Sequence, residues 1–125
     1  MSISEAEKFQ MLLAGYILQG QFGEVKKLVK RGANIHSNIS AVDGATVLHL
    51  ATQTNNIDMI KFFVSLKVDI DKISDNGATP LHLASHGGFL EAVTFLVKSK
   101  ADIDKADNHG STPLIFACQG GHFDG

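Results

Sequence analysis

The chain has 125 residues, room for one ordinary domain and not for two. Apolar residues make up 44% and charged residues 19%, a globular composition that excludes wholesale disorder. Eleven Lys and Arg against thirteen Asp and Glu leave a net charge of −2, which excludes a nucleic-acid binder working through bulk positive charge.

Glu5, Glu7 and Lys8 stand where a secretory signal would place its apolar region, and the longest apolar run, Met11 to Leu18, is eight residues. Neither a signal peptide nor a membrane-spanning helix is expected. The single cysteine, Cys118, excludes an internal disulfide. It suits a reducing compartment, so the expected location is the cytoplasm, with the nucleus also open.

Ser4 and Glu7 form a capping-box pattern that predicts an opening helix from about residue 5. Residues 5–40 then read as an atypical copy of a unit repeated further on. Gly20, Val25, Leu28, Val29, Ala33, Asn34 and Ile35 match Gly88, Val93, Leu96, Val97, Ala101, Asp102 and Ile103 at an offset of 68. The copy lacks a Thr-Pro start and reads as an N-terminal cap, and the loop Ser37 to Val42 holds two extra residues. The next unit, 41–73, and its successor, 74–106, agree at 14 of 33 positions. Gly44, Thr46, Leu48 and Ala51 recur 33 residues later as Gly77, Thr79, Leu81 and Ala84, and again as Gly110, Thr112, Leu114 and Ala117. A tandem period of that length is the signature of a repeat architecture.

Each unit is predicted to be a turn followed by two helices. In the 74–106 unit, Gly77 supplies a left-handed turn residue, Thr79 stands at an N-cap and Pro80 at the first helical position. The first helix is expected over about Pro80 to His86, stopped by Gly87-Gly88. The second carries Leu90, Val93, Leu96 and Val97 on one apolar face, with Lys98 and Lys100 complementing the dipole at its end. Ala101 to Gly110, rich in Asp and Asn, is expected to form an extended hairpin-like finger. The fourth unit, 107–125, reaches 19 of its 33 positions. Its second helix is missing, so the expectation is a truncated product whose end, with Leu114, Phe116 and Phe123, is frayed or covered by a partner.

The run Gly77-Ala78-Thr79-Pro80-Leu81-His82-Leu83-Ala84, followed by Ala101-Asp102-Ile103-Asp104, resembles the ankyrin repeat. The resemblance is strong from about 41 to 122 and weaker from 9 to 40. It implies an all-α solenoid of stacked helix-turn-helix units, with β-hairpin-like finger loops along one edge and binding on the concave side. It also implies that His49 and His82 are structural, hydrogen-bonded to the motif threonine. The chain departs from the pattern at Val47, Ile115, Asn55, Lys67 and Lys100. Asn55, Lys67 and Lys100 replace customary glycines, Asn55 tolerating the left-handed conformation and the two lysines costing some stability.

Catalytic chemistry finds no support. No nucleophile-elbow, zincin or phosphate-loop pattern occurs. His49 and His82 lie on successive helices, too far apart to share one zinc, and His82 with His86 lacks a third ligand. Cys118 falls at a small packing position with no base beside it in sequence. No catalytic residue, metal or cofactor is therefore assigned. Asn38-Ile39-Ser40 is a glycosylation sequon that stays idle without a secretory signal.

Charge is divided by position. Lys26, Lys27, Lys30, Arg31, Lys61, Lys98 and Lys100 mark the second helices, while Asp43, Asp69, Asp71, Asp75, Asp102, Asp104 and Asp107 gather along the fingers. The acidic edge favours a partner protein with a basic surface. By repeat position the partner-binding residues are Val42, Asp43, Ala45, Gln53 and Thr54 in the second unit. The equivalents are Asp75, Asn76, Ala78, His86 and Gly87 in the third, then Asn108, His109, Ser111, Gln119 and Gly120 in the fourth. Tip residues such as Asp75, Asn76 and His109 are read as free of any packing duty. The expected function is a non-enzymatic protein-interaction scaffold that inserts into no membrane. The alternative is a targeting or regulatory segment of a larger enzyme (a kinase, acyltransferase or ubiquitin ligase) with its catalytic domain beyond Gly125.

Overall fold

Thr46 and Thr79 open their helices in the same way. Each sits in extended backbone, and its side chain accepts the amide hydrogen of the residue three positions on, His49 or His82. The computed structural model describes residues 4–113, and within them the 33-residue period becomes three stacked helix pairs. Helix α1 (Glu5–Leu18) pairs with α2 (Phe22–Lys30), α3 (Val47–Gln53) with α4 (Ile57–Ser65), and α5 (Pro80–Gly87) with α6 (Leu90–Lys98). First helices pack on first helices, α1 on α3 and α3 on α5, while α4 packs on α6. This is the all-α solenoid that the sequence predicts.

The turns inside and after each pair follow from backbone conformation. Gly88 stops α5 in the left-handed region at φ 69°, and Asn55 takes the equivalent place after α3 at φ 54°. Gly32, Lys67 and Lys100 close the three second helices at φ 94°, 67° and 78°. The expected glycine sites thus keep their geometry even where lysine fills them. Ser4 caps α1 by accepting the Glu7 amide hydrogen at 3.1 Å. Asn56 caps α4 through Met59, at 3.1 Å, a cap that sequence reading did not foresee.

The core runs the length of the stack through Leu13, Ile17, Val25, Leu48, Ile60, Phe63, Leu81 and Leu96, each 2% exposed or less. One predicted face needs correction. On α6 the buried residues are Ala92 and Leu96, whereas Leu90 is 63% and Val97 42% exposed. The matching residues of α4, Ile57, Ile60, Phe63 and Val64, are all buried or half-buried. Helix α4 is covered by α6, and among the described residues no helix lies beyond α6. Residues 114–125, with Leu114, Phe116, Cys118 and Phe123, fall outside the described residues, as does the predicted fraying.

Candidate functional site: finger tips and concave groove

Three finger tips are built alike. In each, two backbone groups pair across the turn: Ile39 with Ala45, Ser74 with Ala78, and Asp107 with Ser111, the amide of the first donating to the carbonyl of the last at 2.8–2.9 Å. A left-handed glycine follows the tip, Gly44, Gly77 or Gly110. Among the described residues the Ile39–Ala45 pair is the only β-bridge, so the fingers are hairpin-like without being strands. The two extra residues of the first finger are absorbed in a short 3-10 turn, Ser40–Val42, within its tip.

At the base of each finger, an Asx turn recurs. Asn34, Asp69 and Asp102 accept the amide hydrogens of His36, Asp71 and Asp104 at 2.8–3.0 Å. Part of the acidic finger character is therefore local turn chemistry.

Neighbouring tips are laced together. The Asp75 amide donates to the Asp43 carbonyl and the Asn108 amide to the Asn76 carbonyl, both at 3.0 Å. Asn108 Nδ2 adds a bond to the Asp75 carbonyl at 3.0 Å. Glycine makes this approach possible. A Cβ on Gly44 would meet the Asp75 carboxyl, and one on Gly77 would lie 2.7 Å from the Asn108 backbone nitrogen. Asn76 is also occupied: its Oδ1 accepts from Ser74 Oγ at 2.6 Å and from the Ala78 amide at 3.2 Å. The view of the tips as free of packing duty is therefore corrected for Asn76 and Asn108, whose side chains close and join the fingers. Asn38 likewise donates Nδ2 to the carbonyls of Gly44 and Ile73 at 2.6 and 2.7 Å, engaging the very nitrogen that a glycan would use.

Two buried histidines fasten the fingers to the helices. His49 Nδ1 accepts the Thr46 amide hydrogen at 3.1 Å, and its Nε2 lies 2.8 Å from the Ala78 carbonyl in the next unit. Because a carbonyl can only accept, Nε2 carries the proton and the ring is the neutral Nε2–H tautomer. His82 repeats the pattern with Thr79 at 3.0 Å and the Ser111 carbonyl at 2.8 Å. Burial lowers the proton affinity of His49, outweighing the bond to Ala78 that works the other way. In the third tip, Asp107 accepts from the amides of His109 and Ser111, both at 2.9 Å. The Ser111 bond is the main reason that its carboxyl titrates below the usual range.

Between the first and second fingers and the helices beneath them lies a groove of about 400 Å³. Val42, Asp43, Ala45, Gln53, Asp75 and Asn76, all predicted from repeat position, line it together with His49, Ser74 and Leu83. Thr54, His86, Gly87, Asn108, His109 and Ser111 stand outside its lining, and Gln119 and Gly120 are outside the described residues. Ala45 and Ala78 present little side-chain surface, and of the two only Ala45 borders the groove. They are 8% and 2% exposed, because each sits under its own tip with its backbone in the finger pair.

Leu83 was hidden from sequence reading by its match to Leu50, which is a core residue at 2% exposure. The same position in the next unit is half-buried and borders the groove. Among the described residues, no three His, Cys, Asp or Glu side chains converge as metal ligands. None of the described helices is long and apolar enough to cross a membrane. The family model for ankyrin repeats matches residues 11–107 and 65–125, in three copies. Comparison with curated proteins gives no match.

Proposed function

Since the chain belongs to the ankyrin-repeat family, whose repeats generally serve as protein-interaction modules and are typically non-catalytic, we propose a binding scaffold. It holds a partner protein on the concave side, in the groove between the first and second fingers, and the partner presents a basic surface there. The observation that carries this reading is the convergence of six residues predicted from repeat position on one groove of about 400 Å³. The tips that wall the groove are fixed to one another by backbone hydrogen bonds, so a partner would meet a surface already formed. The single cysteine supports a reducing compartment such as the cytoplasm as the place of action.

The test uses a partner captured by pull-down and then purified. Gln53→Arg, which fills the groove from α3 without touching the tip bonds, is expected to weaken binding at least about tenfold, near 1.4 kcal/mol. Charge reversal at Lys26, Lys27 and Lys61 on the second helices is expected to leave affinity within about twofold. If the lysine set abolishes binding and Gln53→Arg does not, the partner uses the opposite surface.

A further inference from the structure

We infer that this groove receives one cationic side chain, lysine or arginine, from an extended partner segment, with an aliphatic neighbour resting on Val42 and Leu83. The inference rests on the concave-face reading above and adds the chemistry of the occupant.

Three observations on the groove lead to it. The first is charge. Asp43 and Asp75 are exposed on adjacent tips, held side by side by the bond between the Asp75 amide and the Asp43 carbonyl. The ion pairs among the described residues are Lys8 with Glu5 and Lys27 with Glu24, so neither tip carboxylate is neutralised. No lysine or arginine lines the groove. Its one basic ring, His49, is neutral, with Nδ1 and Nε2 both engaged, and supplies no internal counter-charge. Two uncompensated carboxylates on a shared rim favour a cation over any other occupant.

The second observation is that this pair is singular. Val42 is followed at 33-residue steps by Asp75 and Asn108, and Asp43 by Asn76 and His109. Two acidic residues thus meet across neighbouring tips at the junction of the first and second fingers and not at the next. That pattern fits one cation at one place better than a continuous basic strip.

The third is the apolar floor. Val42 and Leu83 are half-buried and both border the groove. Lysine and arginine carry aliphatic stems that lie along such surface while the charged head reaches polar groups. An adjacent leucine, isoleucine or valine would cover what the stem leaves. Extended backbone suits the site because Gln53, Ser74 and Asn76 provide polar side chains along the groove wall.

The experiment selects binders of the full chain from a phage-displayed library of random peptides about twelve residues long, then measures the enriched peptides by fluorescence anisotropy. Enrichment of Lys or Arg beside Leu, Ile or Val is expected. Asp43→Asn with Asp75→Asn is expected to weaken the enriched peptides at least about tenfold without moving the melting curve. Raising salt from about 0.05 to about 0.5 M should weaken them several-fold. If the enriched peptides lack a cation, ignore the two asparagine substitutions, and are lost on Gln53→Arg, the cation inference fails while the concave-face reading stands. If they ignore Gln53→Arg as well, or if nothing enriches, both fail.

Discussion

His49 does two jobs that depend on its being neutral. Nδ1 accepts the Thr46 amide and caps α3, while Nε2–H reaches across to the Ala78 carbonyl and fixes the next finger. Removing it leaves buried backbone groups unpaired, so His49→Ala is expected to cost about 2–3 kcal/mol, read from urea midpoints. Its burial-lowered proton affinity also sets a pH dependence. The unfolded chain binds a proton near the ordinary histidine value of 6.5 while the folded chain resists it. Stability is therefore fully present above that value and falls as pH drops below it. Asp107 acts in the same sense at lower pH, since its folded-state carboxyl prefers to stay ionised. Urea midpoints at pH 7.5 and 5.5 should show the loss, and His49→Gln, which cannot titrate, should flatten that slope. An unchanged slope would remove His49 from the account. Glycine at the tips provides a second residue-scale prediction. At Gly77 an added Cβ meets rigid backbone at Asn108, whereas at Gly44 the nearest obstacle is the movable Asp75 carboxyl. Both positions have positive φ, 82° and 70°. Gly77→Ala is expected to cost about 2 kcal/mol or more, and Gly44→Ala clearly less.

At the scale of the element, each helix pair and finger carries a local cost that can be tested. Lys67 and Lys100 hold left-handed backbone that glycine adopts freely, as Gly32 does in the first unit. Lys67→Gly and Lys100→Gly are expected to stabilise by up to about 1 kcal/mol each in thermal unfolding, the relief of strain offset by greater freedom in the unfolded chain. Asn108→Ala is expected to destabilise by about 1 kcal/mol through the lost bond to the Asp75 carbonyl. These elements also show what the sequence could and could not reveal. Thr79-Pro80 and Gly87-Gly88 announced both ends of α5, because caps and stops are written in adjacent residues. The groove residues followed once the units were aligned, since stacking brings equal positions into a row. The lacing of the tips did not follow. Asn76 reads as an ordinary turn residue, and its neighbours are settled by a backbone approach from 32 positions away in sequence. The burial of α6 was misread for a related reason: periodicity marks an apolar stripe, but cover depends on which helix lies beyond it. Leu83 shows the same limit, as its repeat partner Leu50 is buried and it is not.

For the whole molecule, stability should be distributed as in a one-dimensional stack, where each unit gains from the neighbours that it touches. Helix α3 packs on α1, α4 and α5, and six of its seven residues are buried, from Val47 to Thr52. Helix α6 buries Ala92 and Leu96 and leaves Leu90 and Val97 open. Leu48 and Leu96 are both fully buried, so the removed apolar area at the two sites is the same. The difference lies in what each site couples. Leu48 belongs to the helix through which the first and third pairs communicate. Leu48→Ala is expected to cost about 3–5 kcal/mol and to speed amide exchange in all three pairs together. Leu96→Ala is expected to cost about 2–3 kcal/mol, with the increase in exchange confined mainly to α5 and α6. In the unsubstituted chain, amides of α3 should exchange most slowly among residues 4–113. An equal spread of exchange from both substitutions would mean that the stack opens as a single cooperative block, and faster exchange in α3 than in α6 would mean that the middle pair is not its most stable part.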